Sequence, residues 1–510
     1  MLEAVQVNRA CAFCGKREWQ VEFLVQGPSA YICNECIAAS AGLLEGRRSQ
    51  HRAAESDGKV IPAPTRDPNR YAYELLRRHF HPASADEIVT ATRVFPARMR
   101  ADLQRAIDAH LSSGADSFHG LNYRYSFDTV TFAGLLEDSR EPVAIAPARY
   151  EEVDIGEAEP MRCLENGLWL RHDHAVPYAV YLTSRYEYGR KVGAHLEVAV
   201  LAGTDGERIT KALFAQAEAA LQEARSYRGK VLSLEQDEHF SGQSVGVTVH
   251  RIEPVRREEI ILPDSALGLV ERNVVEFARS RPALARLSMP VKKGLLFHGA
   301  PGTGKTYTIR YLAGVLPDHT TLMITAEQVG LLKEYIALAR LLQPSIVVIE
   351  DADLIARSRT DMNGPCEESL LNRLLNEMDG LREDAQIIFI LTTNRPEALE
   401  PAITNRPGRI DQAIEFPLPD FPGRRRLAEI YGRGLPIPPE LLDSIAARTQ
   451  NVSPAFIKEL MRRAAQYYVE EGSSKLLSSE CVDRALQEMA FSGGRLNVRL
   501  LGGDVSSLPQ

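Results

Sequence analysis

The sequence lacks the features that mark a membrane or secreted protein. Among its 510 residues, no apolar run approaches the roughly 20 residues that span a bilayer. The first five residues, Met-Leu-Glu-Ala-Val, contain neither the basic region nor the apolar core of a signal peptide. We therefore expect a cytoplasmic protein.

Positive charge is scarcer than negative charge. Sixty Lys and Arg residues face 68 Asp and Glu residues, which gives a net charge of −8. This balance does not favour a nucleic-acid partner, although Lys16, Arg17, Arg47 and Arg48 leave a local basic face open. The apolar share of 44% is ordinary for a globular protein, and the length allows several domains.

The middle of the chain lacks a recognisable catalytic motif. Residues 71–112 have an apolar spacing that predicts helices, and His79 and His81 are interpreted as surface histidines because no third metal ligand is near them. Residues 120–250 favour strands, together with one amphipathic helix over 207–227. The predicted strands are 167–170, 178–183, 195–201, 230–234 and 244–250. We expect an α+β domain of unknown type, with Cys163 as a packed thiol.

Seven cysteines are present, and four of them form two C-x-x-C pairs. Cys11 and Cys14 are separated by eighteen residues from Cys33 and Cys36. This spacing can supply four thiolates to one tetrahedral Zn²⁺, whose binding would fold a segment too short for a large core. Buried free thiols or a redox pair are the alternatives.

The cysteine segment resembles the zinc-binding domain of the ClpX unfoldases. The matching text is Cys-Ala-Phe-Cys-Gly-Lys from Cys11, and Gly-Pro-Ser-Ala-Tyr-Ile-Cys-Asn-Glu-Cys from Gly27. The resemblance covers residues 9 to about 44, and it implies a dimerising module that docks a protein client or adaptor. Residues 45–70 are rich in Arg, Ser, Ala, Pro and Asp and predict a tether.

A phosphate-binding loop stands at the centre of the second half. A short apolar run, Leu295 to Phe297, precedes G-x-x-x-x-G-K-T and a helical pattern, which is the context such a loop needs. Bare N–H groups and the helix start would hold a phosphate, Lys305 would reach the terminal phosphates, and Thr306 would hold Mg²⁺. The predicted nucleotide contacts are Gly299, Ala300, Pro301, Gly302, Thr303, Gly304, Lys305, Thr306 and Tyr307.

Two acids follow the next strongly apolar strand. Ser345 to Ile349 leads into Glu350 and Asp351, at the strand end that shares a crevice with the phosphate loop. Glu350 is expected to hold Mg²⁺, and Asp351 to orient and deprotonate the attacking water. Asn394, after the strand over 387–391, is expected to touch the γ-phosphate. Capping of the next turn is the alternative role for the two acids.

Arg406 and Arg409 are three residues apart in Arg-Pro-Gly-Arg. They suit an arginine finger with a supporting partner, and a pair of surface arginines is the alternative.

Residues 258–419 resemble an AAA-type (AAA+) ATPase. The motifs agree in kind and order: the phosphate loop, the acidic strand end, Leu-Leu-Asn-Glu-Met-Asp-Gly ending at Gly380, Asn394 and Arg-Pro-Gly-Arg. The resemblance implies that Arg406 and Arg409 act in a neighbouring subunit's site, in a ring usually of six. It also implies a helical lid that brings residues 452–455 near the adenine.

The predicted fold is multidomain, with an α/β P-loop core and helical lid preceded by a small zinc-binding domain and an α+β middle domain. The predicted boundaries are 1–44 for the zinc finger, 45–70 for the linker, 71–250 for the middle domain, 251–424 for the large ATPase subdomain, 425–495 for the lid and 496–510 for the tail. The expected cofactors are ATP, Mg²⁺ and Zn²⁺.

The sequence departs from these families in three ways. Glu350-Asp351 reverses the usual Asp-Glu, which puts the rate of hydrolysis in doubt. The segment after Ile324 lacks an aromatic–apolar–Gly pore loop, and Tyr335 is predicted to pack in a helix. The ATPase half lacks the ClpX lid motif and protease-docking loop. The leading hypothesis is a ring ATPase that remodels a protein client, with a slow nucleotide-gated scaffold and a nucleic-acid motor as alternatives.

Overall fold

The computed structural model divides the chain into two units, residues 1–68 and 69–510. None of the helices it describes is both long and apolar enough to cross a bilayer. The described residues are 11, 14, 16, 20–26, 31–38, 70–111, 116–122, 129–139, 141–187, 190–223, 225–236, 244–357, 370–399, 409–472 and 476–489.

The first unit contains a small antiparallel hairpin. Strand β1 (Leu24–Gln26) pairs with β2 (Tyr31–Cys33), so that Leu24 lies opposite Cys33. The hairpin therefore delivers one of the paired cysteines at the end of β2.

The second unit begins with an antiparallel sheet and its helices. In chain order the elements are α1 (Ala72–His79), β3 (Ile88–Pro96), α2 (Arg100–His110), β4 (Ser117–Asn122), α3 (Phe132–Leu136), β5 (Ala144–Ala146), β6 (Tyr150–Val153), β7 (Met161–Leu164), β8 (Gly167–Asp173), β9 (Val176–Glu187), β10 (Arg190–Leu201) and α4 (Thr204–Gln222). Six strands form one sheet in the order β3-β10-β9-β8-β4-β5, and β6 pairs with β7 separately. Helices cover both faces of this sheet, because α2 and α4 pack in one apolar cluster while α1 and α3 pack in another.

The helical prediction for residues 71–112 is wrong at its centre. Ile88–Pro96 is a strand that pairs along its whole length with β10. Its sequence, Ile-Val-Thr-Ala-Thr-Arg-Val, is rich in β-branched residues, which fit a pleated surface and lose side-chain freedom in a helix. The predicted strands within 167–201 are confirmed, and each extends by a few residues.

The following elements are the strands of a second sheet and the helices between them. They are β11 (Val231–Gln236), β12 (Ser244–His250), α5 (Asp264–Val270), α6 (Phe277–Arg286), β13 (Lys293–His298), α7 (Lys305–Val315), β14 (Thr320–Ile324), α8 (Leu332–Leu341), β15 (Ser345–Ile349), α9 (Ala352–Arg357), α10 (Leu370–Asp379), β16 (Ile387–Thr393) and β17 (Gln412–Glu415). The strand order is β12-β11-β14-β15-β16-β13-β17. Strands β15 and β16 are buried at every position, as expected where helices cover both faces of a parallel sheet.

The predicted domain boundary at residue 250 runs through this second sheet. Strand β11 pairs in parallel with β14, and β12 pairs antiparallel with β11. The hairpin β11–β12, predicted as part of the middle domain, therefore extends the second sheet. Ala101 and Tyr227 pack in the same apolar core as Leu322 and Leu338, so the two sheets are parts of one body.

Four helices follow the second sheet: α11 (Phe421–Tyr431), α12 (Pro439–Arg448), α13 (Pro454–Glu470) and α14 (Ser479–Gln487). They share one apolar core. Ser453 caps α13 by accepting a hydrogen bond from the Phe456 N–H at 3.2 Å, and Pro454 occupies the first turn of that helix. This bundle occupies the region predicted as the lid, and it begins four residues earlier than predicted.

Candidate nucleotide and zinc sites

The phosphate loop connects β13 to α7, and several of its positions need a backbone conformation that only glycine adopts readily. Gly299, Gly302 and Gly304 have φ values of +152°, +76° and +98°. A Cβ atom on Gly299 would lie 2.2 Å from the Phe416 carbonyl oxygen, and one on Gly302 would lie 2.8 Å from Ala455 Cβ. The loop is therefore a bare backbone cradle at a helix start, which suits a phosphate.

Lys305 lies across this loop and is only 7% exposed. Its Nζ donates to the carbonyl oxygens of Gly299 and Ala300 at 2.7 and 3.0 Å, and to Asn394 Oδ1 at 2.9 Å. Burial lowers the pKa of Lys305 to about 8, against the attraction of Asp351 and Asp353. The amine is thus held in the cradle where a phosphate would lie.

Thr306 and Glu350 meet at the metal side of the cleft. The Thr306 hydroxyl donates to Glu350 Oε1 at 2.8 Å. The Glu350 N–H donates to the carbonyl oxygen of Ile324 at 2.9 Å, which holds the acid beside the end of β14. A hydroxyl and a carboxylate next to a phosphate cradle are oxygen ligands of the kind that Mg²⁺ prefers.

Asp351 and Asn394 form the second predicted pair. Asn394 Nδ2 donates to Asp351 Oδ1 at 3.0 Å, so Lys305, Asn394 and Asp351 are linked in a row. Asp351 has a φ of +49°, which is rare for a residue with a side chain. Its N–H donates to Thr392 Oγ1 at 3.2 Å. The neighbouring strand therefore helps to hold this turn.

Asp353 supports Asn394, and sequence reasoning assigned it no role. It is 4% exposed and accepts hydrogen bonds from Thr393 Oγ1 at 2.8 Å and from the Asn394 N–H at 3.4 Å. Its position two residues beyond Asp351 was the available signal. Its partners, however, lie on β16, which the local pattern does not reveal.

The helical bundle closes the cleft from the other side. Residues of both subdomains line a cavity of about 750 Å³. The Ala455 N–H donates to the Gly302 carbonyl oxygen at 3.3 Å, and Tyr307 and Lys458 also line the cavity. Ile260–Leu262 and Tyr431 supply apolar surface that suits a flat base.

Glu259 joins the two walls of this cleft and was also missed. It accepts from Arg433 Nη1 at 2.8 Å, after α11, and from Arg256 Nη2 at 2.9 Å. Hydrogen bonds from Arg256 and then Arg433 lower the pKa of Glu259 to about 2. This ion pair ties the helical bundle to the segment before α5.

Of the two predicted finger arginines, Arg409 lies among the described residues. Arg406 lies outside the described residues. Arg409 lies against Gly294 at the start of β13, where it pairs with Asp379 and lines a separate cavity of about 360 Å³. Lys305 follows the other end of β13, and the six residues of this strand rise about 20 Å. Arg409 is therefore remote from the phosphate loop of its own chain.

The four paired cysteines converge in the first unit. One ligand atom from each of Cys11, Cys14, Cys33 and Cys36 lies within 4.8 Å of the others. The Cys33 N–H donates to Cys11 Sγ at 3.3 Å, and the Cys36 N–H donates to Cys33 Sγ at 3.4 Å. Four converging sulfurs, of which Cys11 Sγ and Cys33 Sγ accept these backbone hydrogen bonds, fit a structural Zn²⁺.

Two family models match the chain. Residues 295–418 match the ATPase family associated with various cellular activities (AAA), and residues 9–46 match the ClpX C4-type zinc finger. The chain therefore carries an AAA ATPase domain, the class of domain that binds ATP and Mg²⁺, and a C4 zinc finger.

The relatives of the ATPase half are FtsH-like and CDC48-like AAA ATPases, and the chain is not ClpX. It is 31% identical to ATP-dependent zinc metalloprotease FtsH 2 of Sphaerobacter thermophilus, over 51% of this chain and 43% of that protein. It is 34% identical to the cell division cycle protein 48 homolog of Archaeoglobus fulgidus, over 38% of this chain and 28% of that protein. The chain thus spans about half or less of the length of these relatives.

Proposed function

We propose that this chain is an ATPase that forms a ring and remodels a protein client. Its net charge of −8 does not favour a nucleic-acid partner. The observation that carries the proposal is the row Lys305–Asn394–Asp351 beside the Thr306–Glu350 pair. These five side chains supply a phosphate cation, two metal ligands, a carboxylate and an orienting amide in one cleft. Such a set suits phosphoryl transfer to water.

Each side chain has a distinct task in this proposal. Lys305 exchanges its carbonyl partners for the β- and γ-phosphate oxygens. Thr306 and Glu350 would hold Mg²⁺, which would supply positive charge beside the phosphates. Asp351 accepts a proton from the attacking water, and Asn394 orients both the water and the Asp351 carboxylate. The reversed acid order remains compatible with this arrangement, because Asn394 holds the shorter Asp351 side chain at 3.0 Å.

The location of Arg409 supports the proposed ring. The guanidinium lies at the far end of β13 from its own phosphate loop, and Nη1 has no hydrogen-bond partner among the described residues. An arginine that completes a site must then do so in another copy. We propose a homo-oligomer, most simply a hexamer, in which Arg406 and Arg409 act in the neighbour's cleft.

Client recruitment is assigned to the zinc finger and the middle domain. On the zinc finger, Phe23, Val25 and Ile37 are 52%, 45% and 38% exposed, which is apolar surface available for docking. Remodelling is favoured over threading because Tyr335, the aromatic nearest to the expected pore loop, is 0% exposed.

A nucleotide-gated scaffold is the second candidate. It is favoured by the reversed acids, since the shorter Asp351 side chain reaches less far toward an attacking water than the usual Glu would. In that case ATP would assemble the ring without releasing a client.

The test is the Asp351→Asn variant, with Asp443→Asn as an exposed control on α12. Loss of the base is expected to lower kcat by roughly 10²–10⁴-fold and to leave ATP binding intact. The trapped ring is then used in a pull-down with mass spectrometry to identify the client. Full turnover by Asp351→Asn, measured as phosphate release, would refute the assignment of the base.

A further inference from the structure

The segment that follows β14 is hydrogen-bonded to strand β11. The Tyr335 hydroxyl accepts from the Leu234 N–H at 2.8 Å and donates to Gln328 Oε1 at 3.0 Å. Gln328 Nε2 donates to the Leu234 carbonyl oxygen at 2.9 Å. Two side chains thus satisfy both backbone polar groups of Leu234, which is 0% exposed.

These side chains continue a strand pairing that stops early. The backbones of β11 and β14 pair at Val231–Thr321 and Leu232–Leu322. Two residues further along β11, Gln328 and Tyr335 take the positions that a paired strand would occupy. Strand β11 is therefore linked, beyond its residues paired with β14, to the segment that follows β14.

The same segment adjoins the metal side of the nucleotide cleft. Ile324, the last residue of β14, accepts the hydrogen bond from the Glu350 N–H at 2.9 Å. Gln328 also lines a cavity of about 610 Å³ together with Thr306 and Glu350. Glu350 is thus joined by its backbone to the end of β14, next to the segment that contains Gln328.

The other end of this connection is the middle domain. Strand β11 forms a hairpin with β12. An ion pair also joins the middle domain to α8, the helix that contains Tyr335. Arg98 Nη1 lies 2.7 Å from Glu334 Oε2, and the two side chains are only 11% and 18% exposed. Ala101 of α2 shares an apolar core with Leu234 and Tyr335. Movement of the segment would therefore carry the middle domain with it.

We propose that Gln328 and Tyr335 are positioning residues for Glu350, and that they transmit the occupancy of the Mg²⁺ site to the hairpin β11–β12 and the middle domain. The inference rests on the proposed function and adds its mechanical output: the part that responds to nucleotide is the middle domain. The Gln328–Tyr335–Leu234 bridge lies between the two ends of this link, and we expect it to have a second arrangement that both ends bias, as a coupling mechanism requires.

The test compares Tyr335→Phe with Tyr311→Phe. Both changes remove one hydroxyl from a buried tyrosine, and the Tyr311 hydroxyl donates to Glu271 at 3.0 Å, away from the bridge. Turnover is measured against Mg²⁺ concentration at saturating ATP. Hydrogen exchange of residues 231–236 and 244–250 is measured with and without Mg-ATP.

Tyr335→Phe is expected to need several-fold more Mg²⁺ for half-maximal turnover and to lose most of the Mg-ATP-dependent change in hairpin exchange. Its affinity for ATP without Mg²⁺ should stay within twofold of wild type, because Lys305 and the phosphate loop are untouched. Tyr311→Phe should keep the wild-type Mg²⁺ dependence and exchange response. Gln328→Glu, which removes the donor to Leu234 but keeps an acceptor, should shift both readouts in the same direction.

Wild-type Mg²⁺ dependence in both Tyr335→Phe and Gln328→Glu would overturn the positioning role. If hydrogen exchange of the wild-type hairpin is the same with and without Mg-ATP, the proposed transmission from the Mg²⁺ site to the hairpin is overturned, even if the protein hydrolyses ATP normally. A wild-type chain that binds no ATP would instead overturn the proposed function itself, and with it this inference. The three results are distinguishable because turnover, ATP affinity and hairpin exchange are measured separately.

Discussion

At the residue scale, the cleft depends on a few side chains that hold one another in place. Lys305 bonds Asn394, Asn394 bonds Asp351, and Asp353 holds the backbone of Asn394 from behind. Lys305 must exchange its carbonyl partners for phosphate oxygens, but the Asn394 and Asp351 side chains are already fixed in direction before any phosphate arrives. Such preorganisation reduces the rearrangement that the transition state would otherwise require.

ATP affinity should depend on pH through Lys305. The pKa of this amine is lowered to about 8, and the phosphates favour its protonated form. Below about pH 8 the free site is already protonated, so affinity should be flat. Above that pH a proton must be taken up on binding, and affinity should fall by up to about tenfold per pH unit. The measurement is ATP binding between pH 7 and 9.5, where the nucleotide's own phosphates stay ionised.

Lys305→Arg supplies the control for this pH dependence, since a guanidinium stays charged across the range. Its affinity should be weaker than that of wild type at pH 7 but independent of pH. Lys305→Ala should abolish binding, whereas Arg310→Ala, an exposed change one turn further along α7, should not. If ATP affinity falls equally steeply with pH in wild type and in Lys305→Arg, Lys305 is not the source of the pH dependence.

The candidate site was predictable where its residues belong to local motifs. Gly299–Thr306 and Glu350–Asp351 each follow an apolar strand, and the structure brings both to one edge of the sheet. Asp353 and Glu259 were not predicted, because their roles depend on Thr393 and Arg433, which are distant in sequence. Contacts between residues so far apart are set by the fold, and no local motif in the sequence indicates them.

At the element scale, predictability follows burial. Strands β13, β15 and β16 are continuous apolar runs between turn residues, so the sequence predicts them within a few residues. Strand β3 is an edge strand with a mixed burial pattern, and its apolar spacing was misread as helical. The pairing of β11 with β14 joins residues about 90 apart, which a local pattern cannot indicate.

The zinc finger should unfold independently of the ATPase. Cys33→Ser removes one of the four converging sulfurs, and the metal supplies most of the folding energy of so short a segment. Bound Zn²⁺ should fall from one per chain to near zero, by metal analysis of purified protein. ATP turnover should remain close to wild type, because the finger and the ATPase domain lie in different units.

Cys163→Ser is the matched control for zinc content. Cys163 is buried in β7, and burial raises its pKa to about 11, so it is a packed thiol rather than a ligand. This variant should retain one Zn²⁺ per chain. Absence of zinc from freshly purified wild type, or its persistence in Cys33→Ser, would contradict the four-cysteine site.

At the scale of the whole molecule, the second unit behaves as two sheets with one shared core and a helical bundle across a cleft. The buried Arg98–Glu334 pair and the core that contains Ala101 fix the middle domain to the large ATPase subdomain. The bundle is joined to that subdomain across the cleft by Glu259–Arg433 and by the Ala455–Gly302 hydrogen bond. The candidate nucleotide cleft therefore lies at the boundary between these two parts, and we expect closure of the bundle to respond to nucleotide.

Complementation between inactive variants should reveal assembly. Arg409→Ala should bind ATP but lose on the order of a thousandfold in turnover, because the neighbour's site lacks its finger. Lys305→Ala cannot bind ATP but still carries Arg409. A mixture of the two should regain part of the wild-type phosphate release at mixed interfaces. A fully active monomer in sedimentation experiments would rule out action between subunits.

The fate of the client separates local remodelling from threading. Processive threading requires a side chain that grips the polypeptide at each step, and Tyr335 is unavailable because its hydroxyl is bonded to Gln328 and Leu234 inside the core. We therefore expect the ring to release its client without unfolding it. The measurement uses a stably folded fluorescent reporter fused to the client trapped by Asp351→Asn. With wild type and ATP, the client should dissociate while fluorescence is retained. ATP-dependent loss of fluorescence would demonstrate threading, and ring assembly without release would favour the scaffold.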